Sequence, residues 1–148
     1  MVVKQIFPDD ELWKKTINYS KNCNWSAGAR LAKTMEENVF SEWEGVFVTI
    51  NDNGDIIGYC VFSKTDCIPN VEYTPYISFI FVEERYRGQR ISEKMILTVI
   101  NYAKELQFTE IYVVSDHINL YEKYGFSKID EKLDHNGRLE SIYMRKIA

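Results

Sequence analysis

The run Ile77-Ser78-Phe79-Ile80-Phe81-Val82 is apolar at all but one position and rich in β-branched and aromatic side chains, the composition of a strand covered on both faces. It leads through Glu83-Glu84-Arg85-Tyr86-Arg87-Gly88-Gln89-Arg90 into a segment where Ile91, Met95, Val99, Tyr102 and Leu106 recur every three or four residues. Glu93, Lys94, Asn101 and Lys104 lie off that stripe, so the period predicts a helix from about Gly88 to Leu106 with one buried face. A buried strand that feeds directly into a long helix restricts the fold to architectures in which helices cover a sheet. The junction also carries Arg85, Arg87 and Arg90. The first amides of a helix have no partners inside it, and the helix dipole together with guanidinium groups makes such a junction attractive to phosphate. The residues alone leave a plainer reading open, a solvated corner rich in arginine. No G-x-G-x-x-G follows a first strand and no G-x-x-x-x-G-K-[ST] occurs, which sets aside nicotinamide and nucleoside triphosphate readings.

The flanking sequence completes a mixed set of elements. Val2–Phe7 reads as a strand, and a helix that Asp9 or Asp10 would cap runs through Trp13 and Ile17 toward Tyr19. Asn22–Trp25 breaks it before a second helix over Ala27–Asn38. Val46–Asn51 and Ile56–Ser63 form a hairpin about Asn51-Asp52-Asn53-Gly54. A polar connection, Lys64–Pro75, precedes the central strand, and Glu110–Ser115 follows the long helix as its parallel neighbour. A short helix from about Ile118 to Tyr124 ends at Gly125, and strands Phe126–Leu133 and Leu139–Ile147 close the chain as a second hairpin. At 148 residues, 45% hydrophobic and 27% charged, the expectation is one domain over residues 1–148.

Nothing approaches the apolar length of a membrane span, and Met1–Pro8 does not resemble a signal sequence, so a soluble cytoplasmic protein without membrane partners is expected. A net charge of −4 argues against nucleic acid as a partner. Cys23, Cys60 and Cys67 are odd in number and lack metal-ligand spacing with the two histidines, His117 and His135, so reduced structural thiols and no metal are expected.

The junction and a later segment, Asn119-Leu120-Tyr121-Glu122-Lys123-Tyr124-Gly125-Phe126, together resemble two motifs of the GNAT superfamily of N-acetyltransferases. One is the acyl-CoA motif Q/R-x-x-G-x-G/A after a strand ending in Val; the other is L-Y-x-K-x-G-F. The resemblance covers Ile77–Phe126, about half the chain. It implies an α/β (α+β) fold with a central mixed, mostly antiparallel sheet, splayed middle strands and flanking helices. It also implies an acetyl-CoA-dependent enzyme that moves the acetyl group directly onto a primary amine of a small molecule or peptide. The backbone of Phe81, Val82 and Glu83 would hold the pantetheine, and Arg87, Gly88, Gln89, Arg90, Ile91 and Ser92 the pyrophosphate, with Asn119 on the pantetheine arm or capping the short helix. Arg90 stands where the family has its central glycine and Ser92 where it has Gly or Ala. The reading adopted is that Arg90 keeps a helical backbone and adds a charge-assisted contact. The same substitutions make a silent acyl-CoA-binding regulator the alternative, and a phosphate-binding interaction module stands further off. A homodimer is left open.

Tyr121 matches the tyrosine that acts as general acid on the departing thiolate, a phenol being matched to a thiol in pKa. An alkyl ammonium with a pKa of about 10.4 is only roughly one part in a thousand neutral near pH 7, so a base or water wire is required. His117 is four residues before Tyr121 and would share a helical face with it. Glu83, Glu84 and Glu72 are alternatives for the base or for holding a cationic substrate. Trp25, Glu72, Tyr73 and Tyr76 lie in or beside the least regular segments and are the candidates for the acceptor pocket, where aromatic faces also attract cations.

Overall fold

A computed structural model describes all of residues 1–148. The elements in chain order are β1 (Val2–Ile6), α1 (Glu11–Asn22), α2 (Ala27–Glu37), β2 (Gly45–Ile50), β3 (Ile56–Ser63), β4 (Tyr76–Val82), α3 (Ile91–Glu105), β5 (Glu110–Ser115), β6 (Ser127–Leu133) and β7 (Leu139–Lys146). Single 3-10 turns occupy Glu84–Tyr86 and Tyr121–Tyr124. The seven strands form one sheet in the order β1-β2-β3-β4-β5-β7-β6. Pairing is antiparallel for β1 with β2, β5 with β7 and β6 with β7. It is parallel for β4 with β5, whose register is the single pair Tyr76↔Tyr112, so the two middle strands splay as expected. No helix is long and apolar enough to cross a membrane.

The differences from the sequence reading have local causes. Helix α3 starts at Ile91 rather than Gly88, because Gly88 and Arg90 both have positive φ, +82° and +62°. Asp10 does stand just before α1, but its carboxylate accepts from the Phe7 N–H at 2.8 Å and caps no helical amide. The helix expected over Ile118–Tyr124 is only the 3-10 turn Tyr121–Tyr124, ended as anticipated by Gly125 in the left-handed region.

The chain divides into two compact units, Met1–Val61 with Phe79–Met95, and Phe62–Ser78 with Ile96–Ala148. In the first, Ile6, Trp13, Leu31, Met35, Val46, Val48, Tyr59, Val61 and Phe81 form the core. Helices α1 and α2 meet closely at Gly28, where a Cβ would lie 2.2 Å from the Ser20 carbonyl oxygen. Strand β4 contains Phe79 at φ +51°, a left-handed aromatic residue within a strand. Its ring is held edge-on by Trp25 and covered by the Arg30 guanidinium at 5.5 Å, the packing that such a strained residue needs to persist. The second unit is built on Ile68, Tyr76, Tyr112 and Ile142.

Candidate active site

The junction is assembled by the end of β4. The Glu83 N–H continues the ladder to the Ile57 carbonyl at 2.9 Å, and the Val82 carbonyl accepts from Arg87 Nε at 3.0 Å. Both groups were assigned to the pantetheine from the sequence, and both are already engaged. Arg87 therefore folds back on the strand with one of its five donors committed. The 3-10 turn is anchored by Tyr86, whose hydroxyl accepts from Asn51 Nδ2 at 3.1 Å in the β2–β3 hairpin.

Arg90 departs from the expected helical backbone. It is the residue just ahead of α3, its carbonyl accepts the Lys94 N–H at 3.1 Å, and its φ is +62°. It thus adopts a conformation that a glycine would take freely, at a cost of about 1–2 kcal/mol for a residue with a Cβ. Its side chain is 84% exposed, and its nearest carboxylate, that of Glu93, is 3.7 Å away. A guanidinium has no acceptor, so this residue cannot cap the first-turn amides as Ser or Asp would. Ile91 is buried and anchors the helix, Ser92 is half-buried, and Gly88 and Gln89 are exposed.

In the same unit the end of α1, the loop after it and the end of β4 enclose a cleft of about 300 Å³. It is lined by Asn18, Tyr19, Asn22, Cys23, Asn24, Phe81 and Glu83. Tyr19 OH donates to Glu83 Oε1 at 3.1 Å, while the other carboxylate oxygen accepts from Arg85 Nε. Burial first, and then the Glu83 charge, hold the Tyr19 phenol above its ordinary value, so it remains a donor to that carboxylate at neutral pH. Trp25 stacks on Phe81 with centroids 5.8 Å apart and an interplanar angle of 12°, and Tyr59 stacks on the same ring at 5.2 Å. Cys23 Sγ lies 3.4 Å from Tyr59 OH, whose pKa is raised by burial and then by Cys23. Among the three carboxylates proposed from sequence, Glu83 lines this cleft, whereas Glu72 and Glu84 are exposed.

The remaining candidates lie in the second unit. Tyr121 is 5% exposed, with its ring among Tyr124, Phe126 and Tyr143. His117 does not share a helix with it. The intervening residues are bends, Asn119 has φ +64°, and the His117 main chain is held by Ser115 Oγ on its N–H and by Tyr143 OH on its carbonyl. The His117 and Asn119 side chains are exposed. Tyr73 OH donates to Asp130 at 2.8 Å, and its ring lies 5.0 Å from that of Tyr112. Tyr76 is 1% exposed, a core residue and not a cleft wall.

Sequence reasoning missed Tyr19, Tyr59 and the asparagines of the α1 terminus. The one signal available was the i, i+4 pair Asn18 and Asn22 at the end of an amphipathic helix, which by itself is only a polar face.

Known proteins resemble this chain in sequence and in fold. The D-amino-acid N-acetyltransferase HPA3 of Saccharomyces cerevisiae is 29% identical over 141 residues, covering 90% of this chain and 86% of that enzyme. The aminoglycoside 6'-acetyltransferase type Ii superposes over 100% of this chain and 98% of its own with a TM-score of 0.76 at 16% identity. The GNAT family N-acetyltransferase YhbS of Escherichia coli, in complex with CoA, covers 99% of this chain and 81% of its own with a TM-score of 0.73 at 21% identity. Residues 10–126, well over half the sequence, match the Acetyltransferase (GNAT) family, and the chain belongs to that family.

Proposed function

We propose that this protein is an acetyl-CoA-dependent N-acetyltransferase that acts directly on a primary amine. The observation that carries the coenzyme half is the turn before α3: two left-handed residues, Gly88 and Arg90, and a residue ahead of the helix with no acceptor to cap its amides. Such a turn suits a diphosphate, with Gly88, Gln89, Arg90, Ile91 and Ser92 around it and Arg87 beside it. Bound there, acetyl-CoA supplies an activated acetyl thioester. Glu83, in the cleft wall and steadied by Tyr19, holds the ammonium of the acceptor; loss of one proton to solvent gives the neutral amine, and Glu83 takes a second as the C–N bond forms. Tyr121 gives its own proton to the thiolate as the C–S bond breaks and is reprotonated from solvent. Trp25, stacked on Phe81, contributes an aromatic face near the acceptor.

Thiol release followed against a panel of primary amines tests this reading. Glu83→Gln and Tyr121→Phe should each lower kcat/KM by about 10²-fold or more while leaving acetyl-CoA affinity close to that of the parent. Acetyl-CoA binding with no thiol released by any amine would replace the enzyme with the silent acyl-CoA-binding regulator.

A further inference from the structure

In the second unit, the loop between β3 and β4 and the tip of the β6–β7 hairpin bring together three side chains that the proposed chemistry does not use. Cys67 Sγ and carboxylate oxygens of Asp134 and Glu140 all lie within 4.8 Å of one another, and all three residues are half-buried. The main chain holds this arrangement in place. His135 N–H donates to the Cys67 carbonyl at 3.0 Å, and Asp134 Oδ1 accepts the Asn136 and Arg138 N–H groups at 2.8 and 2.9 Å. Asp116 and Asp66 add further negative charge, and Arg138, 3.7 Å from Asp116, is the cation facing Glu140. Burial and the neighbouring carboxylates push the Cys67 thiol up to about 12 and raise Glu140. Asp134 is shifted the other way, the Arg138 N–H on its carboxylate holding it below its ordinary value.

An independent feature points the same way. Tyr76 is 1% exposed, yet its hydroxyl has no hydrogen-bond partner. Its ring belongs to the core cluster against which Cys67 also packs, and its hydroxyl is near enough to Asp66 and Cys67 for both, after burial, to raise its pKa. A buried donor left unpaired is destabilising, and a neutral thiol is a weak acceptor. A thiolate is a strong one.

We propose that Cys67, Asp134 and Glu140 form a binding site for a divalent cation of borderline softness, of the Zn²⁺ class, with Tyr76 as a donor to the Cys67 thiolate. One sulfur and two carboxylate oxygens favour Zn²⁺ over Mg²⁺ or Ca²⁺, with water completing a tetrahedron. Binding displaces the Cys67 thiol proton to solvent, and the phenol then meets a charged acceptor, the outer-shell contact that ordinarily orients a metal ligand. The ligands come from segments far apart in sequence, which is why cysteine–histidine spacing gave no sign of them.

Titration of the full chain with Cd²⁺, which gives an ultraviolet thiolate charge-transfer band, tests the site. The band should saturate near one equivalent in the parent and in Cys23→Ser and vanish in Cys67→Ser. Zn²⁺ should raise Tm, Mg²⁺ should not, and Glu140→Gln should abolish the Zn²⁺ shift. Tyr76→Phe should weaken Cd²⁺ binding by about 10–100-fold. A band that survives Cys67→Ser, or a Zn²⁺ shift unchanged in Glu140→Gln, would overturn the site. Unaltered affinity in Tyr76→Phe would remove the phenol from it.

Discussion

Arg90 shows how one position can keep a motif's geometry while changing its chemistry. The letters R-x-x-R-x-S look like a damaged R-x-x-G-x-A, and they suggest a backbone turned helical to suit the larger residue. Instead φ is +62°, a conformation open to glycine without cost, and the arginine bears the strain. Arg90→Gly should accordingly raise stability by up to about 1 kcal/mol, part of the relief being offset by the freer unfolded glycine. That corresponds to roughly 2–4 °C in Tm for a chain of this size. A lower Tm would mean that the side chain contributes more than its backbone costs.

Tyr73 and Asp130 give a second single-residue case with a definite pH signature. The Tyr73 hydrogen bond holds the Asp130 carboxyl below its ordinary 3.8, and the same bond raises the phenol. A depressed carboxyl contributes stability that is present above 3.8 and lost as pH falls through the folded value. Tyr73→Phe should therefore be less stable than the parent at about pH 7, with the gap narrowing on acidification below 3.8. Urea midpoints across that range would show it, and a gap independent of pH would disprove it.

The strands and helices were legible because their periods are strong. β3 and β5 match their predicted limits, and the others differ only at their ends. What failed were the short pieces whose conformation rests on one or two dihedrals: the start of α3, the cap of α1 and the 3-10 turn at Tyr121. Hydrophobic periodicity carries no information about a left-handed residue, so Phe79 inside β4 was invisible as well. The α1–α2 contact at Gly28 was missed for a different reason, since it depends on which two surfaces meet. A methyl group added at Gly28 would stand only 2.2 Å from the Ser20 carbonyl oxygen and 2.7 Å from Cys23 Sγ, so Gly28→Ala must spread the helix pair. It should cost about 1–3 kcal/mol in thermal or denaturant unfolding. Because Cys23 and Asn22 line the cleft, acceptor KM should rise with it. A variant as stable as the parent would show that the helices separate without strain.

For the whole chain, coenzyme binding is the property that connects stability to function. A ligand that binds only the folded state at 100 times its Kd stabilises by about 2.7 kcal/mol, so saturating acetyl-CoA should lift Tm by several degrees. Arg87→Ala should reduce that lift by weakening affinity, and because Arg87 also bonds the Val82 carbonyl, it should lower the Tm of the free protein too. An undiminished acetyl-CoA shift in Arg87→Ala would exclude Arg87 from the phosphate site. Local pattern was sufficient to specify a mixed sheet with flanking helices, the strand–turn–helix junction and the family, because periodicity, turn residues and motif spacing are properties of neighbouring residues. Which carboxylate reaches a cleft, which tyrosine is core, and that Cys67 meets Asp134 and Glu140 depended on folding, because each requires segments remote in the chain to converge, and burial and charge act through space.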